Sequence, residues 1–216
     1  MPEEAPKRTR GVGWAVVFVI ATIAMVYAFM QLQQVQSQRP TPASLKKFSA
    51  APEFQLVTSN GERLSKEDFD GKVWVTNFIF TRCQGPCPVI TGRMAELQEQ
   101  LRKANASDVH LLTITVDPDY DTPEVLARYA EQVGADPEVW SFATGPKAHV
   151  EEVVKKGFLQ PIVEAPDGEI IHTSRFVVTD RNGMMRSFPD GNDASSVQRV
   201  LLDIRDLLRE QPAATQ

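Results

Sequence analysis

Val73-Trp74-Val75-Thr76-Asn77-Phe78-Ile79-Phe80 runs directly into Thr81-Arg82-Cys83-Gln84-Gly85-Pro86-Cys87-Pro88. The first eight residues are almost continuously apolar. Such a run is a strand buried on both faces, at the centre of a mixed or parallel sheet. The second eight hold both cysteines of the chain, with three residues between them. Pro88 suits a first helical position. Ile90, Met94, Leu97 and Leu101 then recur at helical spacing. Both thiols are therefore expected on a loop between a buried strand and a helix N-terminus, where backbone N–H groups and the helix dipole favour thiolates.

Outward from this stretch, strands and helices alternate. Phe54–Thr58, the turn Asn60-Gly61 and Glu62–Leu64 read as a small hairpin. A strand is predicted over 108–116. Thr122-Pro123-Glu124 opens a helix with a cap, a first-turn proline and an acid, and Gly134 ends it. Trp140–Phe142 is a short strand, and Pro146 starts a third helix. The segment from Gly157 to Glu169 is irregular. A strand over 175–179 and a hairpin turn at Asp180–Gly183 lead into 184–188. Val197, Val200, Leu201, Ile204, Leu207 and Leu208 mark a final amphipathic helix. The order βββαβαβαββα indicates a layered α/β domain. A dithiol after the first long strand is the thioredoxin-like arrangement.

The chain has 216 residues and a net charge of −5. Residues 1–40 carry +2, leaving −7 for the rest, so there is no electrostatic case for nucleic acid. Two cysteines are too few for a disulfide scaffold, and a bridge across so short a loop removes little chain entropy. The pair is therefore read as chemical.

Residues 11–30 contain no charge. As a helix they span about 30 Å, the thickness of a hydrocarbon core. Trp14 and Tyr27 lie near the two ends. Lys7, Arg8 and Arg10 precede the run, which places the N-terminus in the cytoplasm and everything after Met30 outside it. An uncleaved anchor is favoured over a signal peptide, because no small-x-small site follows. Glu3 and Glu4 argue against an organelle transit peptide and for a bacterial envelope. The expected organisation is a cytoplasmic N-terminus (1–10), a transmembrane anchor (11–30), a linker (31–49), the folded domain (50–210) and a tail (211–216).

The thiols admit two chemistries. As a redox pair they could exchange disulfides, but such enzymes usually space the cysteines by two residues and place a cis-proline before the later strand. Neither feature is present. As ligands, two soft thiolates suit Cu(I) or Zn(II), and a histidine would complete the set. His172, just before the strand over 175–179, is the candidate. His110 and His149 read as ordinary imidazoles. Asp117, Asp119 and Asp121 read as turn and helix-cap residues before metal ligands. Met94 reads as core, and Met184 and Met185 as strand residues of which one is core.

Three segments resemble the Sco/SenC copper proteins: Phe78–Pro88 with its CxxxCP element, Thr115–Thr122 with DPxxDT, and Ile171-His172-Thr173-Ser174. The resemblance covers roughly residues 50–210, and the anchor matches as well. It implies a membrane-anchored thioredoxin-like domain that binds copper through Cys83, Cys87 and His172, as Cu(I) first and Cu(II) second. Asp117 would lie near the site. Gln84 departs from the proline that many members carry there. The implied function is a copper chaperone at the inner membrane, with its domain in the periplasm. It would serve the dinuclear copper site of cytochrome c oxidase, with the oxidase copper-site subunit or another copper chaperone as partner. This makes the protein a metallochaperone rather than an enzyme. The alternatives are a membrane-tethered thiol–disulfide reductase, with Cys83 and Cys87 catalytic, and a redox or copper sensor.

Overall fold

A computed structural model describes residues 21, 22, 24–27, 30, 45–164 and 170–210. The chain divides into two units, Met1–Ala43 and Ser44–Gln216. In the first, the described residues are helical. Among the described residues no helix is long and apolar enough to cross a membrane. The anchor expected over 11–30 lies largely outside them, as does the tail over 211–216.

The second unit is built on a seven-stranded mixed sheet. Its strands are β1 (Gln55–Thr58), β2 (Arg63–Ser65), β3 (Val73–Ile79), β4 (Val109–Thr115), β5 (Trp140–Thr144), β8 (Val177–Thr179) and β9 (Met185–Ser187). The spatial order is β2-β1-β5-β4-β3-β8-β9. Strands β3, β4 and β5 are parallel neighbours, in the register Val73↔Val109 and Ile79↔Thr115. Strand β8 pairs antiparallel on the other side of β3. The N-terminal hairpin β1–β2 extends the far edge through β5. Gly61 and Gly183 adopt positive φ in the two hairpin turns, where an L side chain would be strained.

All seven residues of β3 are buried, and they alternate between two cores. Trp74 and Phe78 join Phe54, Phe69, Val154 and Phe158 on one face. Val73 and Val75 join Ile90, Met94, Leu97 and Leu101 on the other. The second face carries the helices α1 (Cys87–Lys103), α2 (Pro123–Gln132) and α4 (Ser196–Arg209). The first is covered by α3 (Lys147–Glu151), which continues as a wider π-helical turn, Glu152–Gly157. Each fully buried aliphatic of α1 contributes on the order of 1.5–3 kcal/mol, which outweighs the helix's modest intrinsic tendency to form.

Two features depart from the sequence expectation. The stretch expected to be irregular contains a strand, β6 (Ile162–Glu164), which pairs with β7 (Ile170–His172) just beyond its end as a separate two-stranded ribbon. Helix α1 also begins at Cys87, one residue before Pro88, so the second thiol lies within the first helical turn.

Candidate metal centre

The cysteine loop is fastened from below. The Thr81 N–H donates to Asp121 Oδ2 at 3.1 Å, and the Thr81 hydroxyl donates to the same carboxylate. The Thr115 hydroxyl, at the end of β4, donates to it too. Asp121 is fully buried, and burial pushes its carboxyl pKa up while these three donors pull it down. The Asp121 N–H bonds the Asp117 carbonyl at 2.9 Å, closing the turn that follows β4. Thr122 then caps α2 by accepting from the Val125 N–H. Asp121 is thus turn chemistry, and it also ties the turn to the cysteine loop.

Above this anchor, the Cys83 N–H reaches the Phe80 carbonyl at 3.2 Å, which folds the loop back on the end of β3. A Cβ on Gly85 would lie 3.9 Å from the Cys83 sulfur, so the thiol sits over that glycine. Cys83 is half-buried, Cys87 is buried, and no disulfide joins them. The two thiols are hydrogen-bonded to each other. Burial first, and the Cys83 hydrogen bond second, push the Cys87 pKa far above the ordinary thiol range. Backbone N–H groups of Phe80 and Cys87 oppose this without overcoming it. This corrects the expectation of a thiolate at the helix start. Cys87 is so far inside that desolvation outweighs the helix terminus, and this thiol keeps its proton.

Beside the loop opens a cleft of about 230 Å³. Three ion pairs line it: Arg82–Asp117 at 2.7 Å, Lys147–Asp119 at 3.2 Å and Lys155–Glu151 at 3.0 Å. The Arg82 guanidinium also lies 5.1 Å from the Tyr120 ring centre. Ile162 of β6 and Ile170 of β7 form part of the cleft wall. The ribbon that ends in His172 therefore shares this cleft with Arg82, the residue before Cys83.

His172 pairs with Ile162 as the last residue of β7. Its side chain lies outside what the structure describes. The residues after it are tied to the loop before α4. Ser174 donates to Asp190 at 2.7 Å, and the Gly191 N–H donates to the Ser174 carbonyl at 2.9 Å. A Cβ on Gly191 would come within 2.5 Å of that carbonyl and 3.3 Å of Ile90, in the first turn of α1. The segment leaving His172 is therefore packed through Gly191 onto the helix that starts with Cys87. Among the described residues no three His, Cys, Asp or Glu side chains gather as a metal site.

The other candidates have structural partners. His110 Nε2 is 2.9 Å from Ser141 Oγ, and the ring meets Phe69 edge-on. His149 accepts from the Gln55 N–H at 3.3 Å. Met94 and Met185 are core residues. Asp117 is nine-tenths buried and paired with Arg82. Among the described residues no peptide bond is cis, in keeping with the missing proline before β8.

The SCO1/SenC family profile matches residues 42–209. The chain belongs to the SCO1/SenC family. It is 32% identical over 155 residues to a SCO1 protein homolog of Bacillus subtilis, covering 70% of this chain and 79% of that one. Its fold matches BsSco, a member of the Sco family of cytochrome c oxidase assembly proteins in which a disulfide switch was identified. That match has a TM-score of 0.69 at 29% identity, over 78% of this chain and 99% of the other. The structure of Bradyrhizobium japonicum ScoI with copper bound is similar as well, with a TM-score of 0.61 at 24% identity, over 74% and 99% of the two chains. The mixed sheet flanked by helices is thus the Sco thioredoxin-like fold.

Proposed function

We propose that this protein is a copper chaperone, anchored in the inner membrane of a bacterium with its domain in the periplasm. Copper is the cargo. Cys83, Cys87 and His172 hold it, and the receiver is the copper-site subunit of cytochrome c oxidase or a further copper chaperone. The observation that carries this reading is the Cys83–Cys87 contact at the strand-to-helix corner, beside a cleft that Arg82 shares with the ribbon ending in His172. Two adjacent soft sulfurs fit Cu(I) well and hard cations poorly. A copper-bound relative of the same fold supports the choice of ion. The uncharged run 11–30 behind a basic flank supports the anchor.

The contact between the thiols also favours a second reading, thiol–disulfide exchange. Cys83 and Cys87 would lose two protons and two electrons and form one S–S bond. A client disulfide would take up both and open to two thiols. The same oxidation would switch copper binding off, because a disulfide is a poor ligand. The disulfide switch of BsSco supports this.

One experiment separates the readings. The reduced full chain in detergent is titrated with Cu(I) against a competing chelator. One copper per chain is expected, with tight binding lost in Cys83→Ser and Cys87→Ser. If His172→Ala leaves affinity and stoichiometry unchanged, the three-donor set is wrong. If it abolishes tight binding while exchange with a model disulfide persists, metal handling is what the histidine adds. Normal oxidase assembly in a deletion strain would point to a sensor instead.

A further inference from the structure

The end of the domain opposite the cysteines holds a groove of about 530 Å³ between the C-terminal ends of α1 and α4. Leu101, Leu201 and Leu208 line it together with Arg181, Arg205 and Arg209. Arg181 is held in place by Asp108 at 3.0 Å and by the Leu208 carbonyl at 3.2 Å. Arg205 is half-exposed and pairs with the adjacent Asp206 at 3.0 Å, a surface contact too weak to tie up its charge. Capping the α4 dipole accounts for a cation in its last turn. It does not account for three arginines around a leucine-lined hollow on a domain whose overall charge is −7.

The chain enters the domain at the same place. Buried Arg186 donates to the carbonyls of Leu45 and Lys46 and grips Glu210, at the end of α4, with both arms. Leu45 packs against the same core cluster as Leu201 and Leu208. Lys46, Lys47 and Phe48 of this entry strip are exposed, with the Lys46 ammonium 5.0 Å from the Phe48 ring.

We propose that this end of the domain docks on the surface of the bilayer. The arginines meet the phosphates of anionic lipid headgroups, and the half-buried Leu201 and Leu208 face the boundary of the acyl chains. The proposal rests on the reading of residues 11–30 as an anchor. Charge complementarity selects an anionic lipid surface, and the tether keeps it at high local concentration. Helix α1 is 17 residues long, which separates the groove from Cys87 by about 25 Å. Docking by this end therefore turns the thiols away from the membrane.

The test places the full chain in nanodiscs of phosphatidylcholine, with or without phosphatidylglycerol, and reads hydrogen exchange over 101–108 and 201–209. Exchange is expected to slow with phosphatidylglycerol. Arg205→Gln and Arg209→Gln, which spare the Arg181–Asp108 pair, should each weaken the effect roughly fivefold. Salt at 0.5 M should weaken it in the unaltered chain. Equal exchange in both lipids overturns the proposal. So does equal protection in detergent, which would mean that residues 211–216 or a second copy fill the groove. Alkaline extraction tests the anchor separately. If the chain is released, flotation with phosphatidylglycerol vesicles decides. Flotation that Arg205→Gln and Arg209→Gln abolish upholds docking, and no flotation ends it.

Discussion

The buried Asp121 carboxylate accepts both the backbone N–H and the hydroxyl of Thr81, two residues before Cys83. With Thr115 as a third donor, this one side chain fixes the cysteine loop to the turn after β4. Asp121→Ala leaves three donors without their acceptor inside the protein. It is expected to cost about 2–4 kcal/mol and to lower copper affinity by loosening the loop. Urea unfolding and a chelator competition measure the two effects. Unchanged affinity in a folded Asp121→Ala would show that the loop keeps its shape without this tie.

Copper binding should tighten as pH rises. The Cys87 thiol is held protonated by burial, so the metal must displace its proton. With the Cys87 proton released on binding, log affinity is expected to rise by at least about one per pH unit between pH 6 and 8. Chelator competition at several pH values gives the slope. A flat profile would mean that Cys87 holds no proton for the metal to displace.

Gly191→Ala should disturb the site without touching a donor. Its Cβ would collide with the Ser174 carbonyl, which is backbone and must move. Either the segment behind His172 or the first turn of α1 shifts. The expected result is a folded protein that still exchanges disulfides and binds copper at least tenfold more weakly. Wild-type affinity would detach this packing from the site.

Arg186→Met should destabilise strongly and leave the site alone. The guanidinium is fully buried between Asp180 and Glu210, both at 2.7 Å. Removing it strands Asp180 inside the protein and frees the Leu45 carbonyl, at an expected cost of about 3–5 kcal/mol. Copper stoichiometry in the folded fraction should stay at one. Thermal unfolding and metal analysis report the two results.

Acid should weaken the fold through His110. Burial, with Lys72 nearby, lowers its pKa to about 4. Below the ordinary histidine value of about 6.5 the unfolded chain takes up a proton that the folded one refuses. Stability is then lost as pH falls from about 6.5 toward 4, by about 2 kcal/mol after allowance for partial exposure. Urea unfolding at pH 4.5 and 7 should show this difference shrinking in His110→Gln.

Strong local signals made most of the framework legible. Strand β3 is apolar on both faces, so it announced its central place. The four apolar residues of α1 recur at helical spacing, and Asn60-Gly61 and Thr122-Pro123 marked a hairpin turn and a helix start. The β6–β7 ribbon was not legible, because its strands have only three residues each and too little pattern to register. At the site, the thiols stood out as the only cysteines. The protonation of Cys87 was misjudged, since spacing reveals the helix terminus but not the depth of burial beside it. Asp121 was read as turn chemistry, and its second role across to Thr81 depends on a contact between distant segments. Arg186 escaped notice because a lone arginine in a strand resembles any surface cation. Its place in the middle of β9, next to Met185, was the available clue.

The packing of Gly191 against Ser174 and Ile90 has a consequence for timing. The cysteine loop, the turn after β4, the ribbon and the loop before α4 come from remote parts of the chain. They meet only once the sheet has closed. An unfolded chain carries two thiols on a short flexible loop, whereas the site requires the finished domain. The complete donor set should therefore assemble only after folding, so the finished domain holds copper more tightly than the two thiols of a newly made chain.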